Sequence, residues 1–422
     1  MAEDGYRLDQ RSNQTVQSHI AATILAGERR FDVRIAYIAN FQGPGLIADR
    51  RIRRNAAFAG SQKIRTIAEV LESLGHDVVI FSAGAPAERT CRYYPPRSET
   101  IPGCSRGIVE YPAAIDFPVL SDVVAAHGLR TLIKREAEKH KFDLIVVYNS
   151  WFPEVLAAKA IFRTCGIPLL LEYEDGVSRD GSGRRTWKGR VMERGLAWLA
   201  PNINGLIGVS PGLLAQVNCP HKLLLRGVLG HDLEVLRTQG TAKAGAIRRV
   251  LYTGSISQAK GVNALCRAWV AAEIANCELH VVGDGAALPD LRRTFGTRAV
   301  FHGRVPRGTL IDLMATATVF VNPHRSAEVV RGSIFPFKVI EYLGAGCPVI
   351  STPLGEVEQE IADGISLCEQ DTSESIAQAL KEVFSQLDQC QKRVRKAQDY
   401  VWKEYSVQAV TRKIQALLRE VL

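Results

Sequence analysis

PHRSAEVVRGSIFPFKVIEYLGAGCPVIST, from Pro323 to Thr352, is the stretch on which the reading of the whole chain turns. The apolar run VFVNP from 319 leads into it and CPVIS from 347 ends it, so it reads as strand, loop, helix and strand. The loop holds Gly332, Ser333 and Pro336; the helix carries Lys338 and Glu341 and is closed by Gly344 and Gly346. A helix opening near Ser333 would offer unpaired backbone N–H groups to an anion, the usual way of holding a diphosphate. Glu341, further along, is placed to accept both hydroxyls of a ribose. Taken bare, the same loop reads equally as an ordinary helix cap.

Outward from this segment the pattern repeats. VLYTG from 250, LHVVG from 279 and AVFHG from 299 are further apolar runs ending in glycine, each feeding a helix, which describes a doubly wound parallel sheet. A first series precedes it: VRIAYI at 33–38, VVIF at 78–81, LIVVY at 144–148, LLLEY at 169–173 and LIGV at 206–209. Between them lie helical segments such as IRTIAEVLESLG, where Ile64, Ile67, Leu71 and Leu74 share one face and Gly75 is the stop. The expected fold class is therefore α/β, two Rossmann-like doubly wound domains with a cleft between them. The expected divisions are an N-terminal extension at 1–30, partly flexible, an acceptor domain at 31–235, a linker at 236–248, a donor domain at 249–395 and a helical segment at 396–422. In that last segment Val407, Val410, Ile414, Leu417 and Val421 form one stripe, expected to pack on a neighbouring sheet.

Composition narrows the class. With 422 residues, 46% hydrophobic and 23% charged, the chain is neither disordered, collagenous nor a small disulfide scaffold. No run reaches the roughly 18 apolar residues of a spanning helix, and the first thirty residues lack the order of a signal peptide. Nine scattered cysteines without a Cys-x-x-Cys pair read as reduced thiols of a cytoplasmic protein, not as metal ligands. The net charge of +9 suits an anionic membrane or a phosphorylated ligand; nucleic acid has only that charge in its favour, with no recognition motif beside the arginines.

The run Gly-x-x-Phe-Pro-x-Lys-x-x-Glu-Tyr-Leu-x-x-Gly-x-Pro-Val-Ile resembles the donor-site signature of retaining family-4 glycosyltransferases, which have the GT-B fold. Other landmarks follow in the same order: GSQKIRTIAEVLESLGHDV, IGVSPGLL, RGVLG, YTGSISQAKG, VVGDGAAL and FHGRVPRGTL, over roughly residues 31 to 418. The resemblance implies that Lys260 neutralises the diphosphate, Glu341 binds the ribose and the backbone at Val305 meets the base. Gly254, Ser255, Gly332, Ser333, Ile334, Phe335 and Lys338 complete the implied donor site. No cofactor beyond the nucleotide sugar is implied and no metal, and no Asp-x-Asp occurs in the chain. Two positions depart from the family: Ser333 stands where a Glu is usual and Ser255 where an Arg is usual. Glu328 or Arg331 could compensate for the first, and Lys338 could supply the missing cation.

The acceptor side is less legible. Gly60 and Ser61 open a helix after a loop with Arg50, Arg51, Arg53 and Arg54, which reads either as a grip on an anionic acceptor or as a solvated connection. Tyr148, Asn149 and Trp151 follow a buried strand where family members carry a histidine near the sugar; Asn149 is the candidate here. Glu172 and Glu174 share a face by period-two spacing, and Glu174 and Asp175 are candidates to bind acceptor hydroxyls or accept a proton; their alternative role is to cap or pair locally. Behind them Arg179, Arg184, Arg185, Lys188, Arg190 and Arg194 interleave with Trp187, Val191, Met192, Leu196 and Trp198, which suits either an anionic membrane surface or a core-facing helix with a basic outer face. Among the histidines, His324 beside the phosphate loop is the one to test, with His76 and His302 read as structural.

The expected function is a metal-independent, retaining hexosyltransferase, cytoplasmic or peripheral at the inner face of the membrane. It would move sugar from a nucleotide diphosphate to a glycan or lipid-linked acceptor in cell-surface polysaccharide or glycolipid synthesis, with Lys260, Glu341 and Asn149 as the catalytic set. The alternatives are a nucleotide-sugar 2-epimerase of the same fold and a non-catalytic partner subunit of a transferase.

Overall fold

The structure, a computed structural model, describes residues 32–50, 52, 58–84, 91–117, 120–177, 184–239, 247–327 and 332–422. The expected N-terminal extension, most of the expected linker, Arg51, Arg53, Arg54, Arg179, Glu328 and Arg331 lie outside these residues.

In the first half, eight strands form one sheet in the spatial order His221–Leu224, Gly205–Gly208, Leu169–Tyr173, Leu144–Tyr148, Arg34–Ile38, Asp77–Phe81, Ile108–Tyr111, Arg97–Thr100. All pair in parallel except the last, which is antiparallel to its neighbour. The central strands are the Val- and Ile-rich runs, buried on both faces between helices. The expected helical face of Ile64, Ile67, Leu71 and Leu74 is buried, and Gly75 at φ +99° ends that helix, Phe58–Ser73. The two edge strands of this sheet carry no mark in the sequence because they are short and partly polar: Arg97–Thr100 alternates half-buried with exposed, and His221–Leu224 has no fully buried residue.

The second half is a six-stranded parallel sheet in the order Val300–Gly303, Cys277–Val282, Arg248–Thr253, Val319–Asn322, Val349–Ser351, Ile365–Leu367. Strand order reverses between Arg248–Thr253 and Val319–Asn322, so the loops after these two strands part in opposite directions and leave a crevice at their carboxyl ends. The first sheet reverses in the same way between Arg34–Ile38 and Leu144–Tyr148.

Two crossings join the halves. The stretch in which the apolar alternation lapses holds a 3₁₀ turn, His231–Leu233, and the helix Glu234–Gln239, with Leu233 and Leu236 in the core. The chain returns after the helix Leu387–Tyr405: Leu229 N–H donates to Tyr405 O, and the last helix, Val407–Val421, packs against His221–Leu224 and Phe58–Ser73 of the first half. Val410, Ile414, Leu417 and Val421 are buried there and Val407 is half-buried. All nine cysteines are free thiols. No helix among the described residues is long and apolar enough to cross a membrane.

Candidate active site

The crevice of the second sheet gathers the two lysines expected on the donor side. Lys260, in the turn after Arg248–Thr253, points its Nζ at Nε2 of His324, 2.9 Å away, in the loop after Val319–Asn322. His324 Nδ1–H donates to Arg325 O at 3.0 Å, which leaves Nε2 with a lone pair to accept from the ammonium. Burial and the Lys260 charge push the imidazole down to about 4, so the ring is neutral at physiological pH. Lys338 lies over the Tyr252 ring, 4.3 Å from its centroid, and donates to Tyr252 Oη at 3.2 Å. A side chain on Gly254 would come within 2.8 Å of the Lys338 Nζ, so the glycine keeps that space open. Burial, with Lys260 as a like charge nearby, lowers Lys338 to about 7. Tyr252 Oη donates in turn to the carbonyl of Ser255, whose side chain is exposed at the rim.

Glu341 stands one turn beyond Lys338 on the helix Lys338–Gly344. Its Oε1 is 3.4 Å from Arg307, and Arg307 Nε is 2.5 Å from Asp232, so one guanidinium ties the crossing between the halves to the helix Lys338–Gly344. Burial raises the Glu341 carboxyl while Arg307 pulls it down. Arg307 follows half-buried Val305 by two residues and opens the helix Arg307–Ala315, just past the loop expected to meet the base. Nothing in FHGRVPRGTL marks Arg307 as the partner of Glu341 and Asp232.

The expectation of a helix opening near Ser333 is corrected. Residues 332–337 are irregular and the helix starts at Lys338, with no side-chain cap. Two causes combine: Pro336 disfavours helical backbone at Phe335, and the loop is tied to the first half. Gly332 O accepts from Ser210 Oγ at 2.5 Å, and Ser333 O accepts from Gly176 N–H at 2.8 Å. Gly332 and Ser333 therefore sit where the halves touch, while half-buried Ile334 packs against the core. Phe335 lies under the Arg226 guanidinium, 4.5 Å from its centroid, and Arg226 itself grips Glu358 at 2.8 Å.

Across the crevice, Asn149 holds an acidic loop. At φ +60°, its Oδ1 accepts from the N–H groups of Glu174 (2.8 Å) and Asp175 (3.0 Å), and its Nδ2 donates to Asp175 at 3.3 Å. With three side-chain hydrogen bonds to this loop, it fixes the position of Asp175. Burial raises the Asp175 carboxyl, and Lys260 is the largest influence pulling it back down, so this carboxylate feels the Lys260 ammonium across the crevice. Glu172 and Glu174 do share a face, and there both meet Lys63 of the helix Phe58–Ser73; Tyr37 Oη also donates to Glu172, which is wholly buried. Lys63, like Arg307, is unmarked in the sequence, because nothing in GSQKIRTIAEV distinguishes an inward lysine from a solvated one.

The remaining acceptor candidates divide. Gly60 faces the Tyr148 hydroxyl, and Ser61 Oγ accepts from Gln42 N–H at 2.9 Å, holding the loop before the helix. Arg50 does not reach out to an anion: it is buried, donates to Gly84 O and Pro112 O and lies beside the Tyr94 and Tyr111 rings. Trp151 packs edge-on to Trp187 at 6.0 Å. The helix Trp187–Leu199 turns its apolar side inward, with Leu199 buried and Trp198 edge-on to Phe162, so Leu196 and Trp198 belong to the core.

Two family models match the chain: the glycosyl transferase 4-like domain over residues 60–223 and glycosyl transferases group 1 over residues 247–386. Solved structures share the fold. Sucrose-phosphate synthase from Thermosynechococcus elongatus aligns with a TM-score of 0.69 at 16% identity, covering 92% of this chain and 98% of that one. Anabaena HepE in complex with UDP and glucose aligns with a TM-score of 0.64 at 16% identity, covering 92% and 99%. WaaG, a glycosyltransferase involved in lipopolysaccharide biosynthesis, aligns with a TM-score of 0.60 at 16% identity, covering 91% and 98%. No curated protein matches the sequence.

Proposed function

Because the chain is a glycosyltransferase of the group 1 type with the GT-B fold, we propose that it transfers a hexosyl group from a nucleotide diphosphate, with retention and without a metal, to a hydroxyl of a glycan or lipid-linked acceptor. The nucleotide sugar is the donor, as the UDP and glucose bound to HepE suggest by analogy of fold. Synthesis of a cell-surface polysaccharide or glycolipid is the fitting role, in the cytoplasm or at the inner face of the membrane.

The observation that carries this reading is the convergence of Lys260 and Lys338 in one crevice, with Glu341 a turn away. In the proposed step the bond from the sugar's anomeric carbon to the β-phosphate oxygen breaks, and the acceptor oxygen bonds to that carbon on the same face. The acceptor proton passes to the departing phosphate. The two lysines offset the charge that develops on the diphosphate, Lys338 standing in for the cation absent at Ser255, and Glu341 holds the ribose. Asp175, fixed by Asn149, orients the acceptor hydroxyl. Fixed ammonium groups and the lack of any Asp-x-Asp support the metal-free form.

Thermal shifts with UDP, GDP, ADP and their hexose conjugates in EDTA test the proposal. One nucleotide series should raise the melting temperature, by an amount that corresponds to about 2.7 kcal/mol at a hundredfold excess over Kd, and Glu341→Ala should remove the shift. No shift with any of them overturns it.

A further inference from the structure

Three helices of the first half begin side by side at the acceptor end: Leu120–Lys139, Phe152–Cys165 and Trp187–Leu199. Their proximity follows from Lys188, whose ammonium lies 5.8 Å from the Trp151 ring and 5.7 Å from the Trp187 ring and whose charge acts on Asp122 of the first helix. Large apolar side chains stand in solvent here: Phe117 is 44% exposed, Leu120 51%, Val123 56% and Trp187 62%. Exposed basic side chains stand on the last of these helices and just before it. Arg185, Lys188, Arg190 and Arg194 are all exposed, and Glu193, in ion-pair contact with Arg185, offsets one of these charges.

We infer that this surface docks the protein on an anionic bilayer, with the apolar tips entering the interface and the basic residues meeting the headgroups. Exposed aliphatic and aromatic tips together with exposed cations, Lys188 lying by both tryptophan rings, match the two layers such a surface offers, apolar beneath and negative above. A soluble glycan would use the two tryptophans but leave Phe117, Leu120 and Val123 without a role. The contact is made by helix ends rather than by a helix lying in the interface, since the apolar side of Trp187–Leu199 is already spent on the core. Attachment is accordingly reversible and sensitive to salt. Trp151 joins this surface to Asn149 two residues earlier, so a lipid-linked hydroxyl presented at the bilayer faces the Asp175 side of the crevice; this part rests on the acceptor reading above.

Co-sedimentation of the full chain with vesicles tests the inference. Vesicles of phosphatidylcholine alone should not retain it, those containing phosphatidylglycerol should, and added salt should release it. Leu120→Ser with Val123→Ser, and separately Trp187→Ser, should each weaken binding at least about tenfold, as should Lys188→Glu. Lys392→Glu with Arg395→Glu, exposed charges on the helix Leu387–Tyr405 of the other half, should leave it unchanged. Wild-type emission should shift to the blue on anionic vesicles, and Trp187→Phe should abolish the shift. No retention on anionic vesicles overturns the inference, as does equal loss from the remote charge changes, which would assign binding to net charge alone. Loss of transfer to a soluble glycan in Trp187→Ser without any vesicle binding also overturns it, making the surface a sugar platform. Nucleotide-sugar binding measured without vesicles reports separately on the proposed function.

Discussion

Lys260 Nζ and His324 Nε2 meet at 2.9 Å because their segments follow the two strands between which the second sheet reverses its order. The imidazole is fixed by its second nitrogen on Arg325 O, so it serves as a neutral acceptor that aims the ammonium. His324→Ala should lower kcat/KM roughly fivefold, the worth of one hydrogen bond at about 1 kcal/mol, and His324→Gln, which keeps an acceptor, should recover part of it. The ring's pKa falls from 6.5 unfolded to about 4 folded, so the unfolded chain binds more protons between these values. Stability from this group is therefore full above pH 6.5 and lost as pH drops toward 4. The difference in melting temperature between wild type and His324→Gln should change with pH only across that window; a constant difference would refute the assignment.

Lys338 titrates where it can be measured. With its pKa lowered to about 7, half of these ammonium groups are neutral at pH 7, and a bound diphosphate favours the charged form. Affinity for a nucleotide sugar, whose diester phosphates have no pKa near neutrality, should weaken as pH rises through 7, by up to about tenfold per unit. Lys338→Arg should flatten that slope, since guanidinium stays charged. In the unliganded protein the sign is opposite: the unfolded chain binds more protons between about 7 and 10.5, so this group's contribution to stability grows with pH there.

Asn149 carries three hydrogen bonds at a left-handed backbone position. Asn149→Ala leaves two N–H groups without their acceptor and should cost about 2 kcal/mol, seen in denaturant unfolding. Activity should fall further than stability explains, because Asp175 loses its fixed place. An intact kcat in the folded variant would argue that Asp175 needs no positioning.

Lys63 offsets the charge of two carboxylates at once, one of them wholly buried. Lys63→Met should destabilise by about 3 kcal/mol, since it strands the Glu172 charge, and adding Glu172→Gln should restore much of that. Additive losses in the double variant would show that the pair does not interact.

Much of this was legible in the sequence. The Val- and Ile-rich runs locate the central strands, because a strand buried on both faces tolerates little else. Edge strands such as Arg97–Thr100 were not legible, since half of their surface faces solvent. The donor signature marks Lys260, Lys338 and Glu341 because they follow glycines and apolar runs in fixed order. Arg307 and Lys63 carry no such mark: surface and inward cations look alike until the partners that neutralise them, Asp232, Glu341, Glu172 and Glu174, arrive from distant segments.

The sequence by itself determined the α/β alternation, the two sheets and the residues at their switch points, because strand and helix periods are local and the cost of exposing apolar surface enforces them. Tertiary structure alone decided that the Ser333 loop joins the halves rather than opening a helix, that Asn149 serves Asp175, and that the final helix crosses back to the first sheet. Each depends on a hydrogen bond or packing contact between residues far apart in the chain, and such contacts leave no period in the sequence.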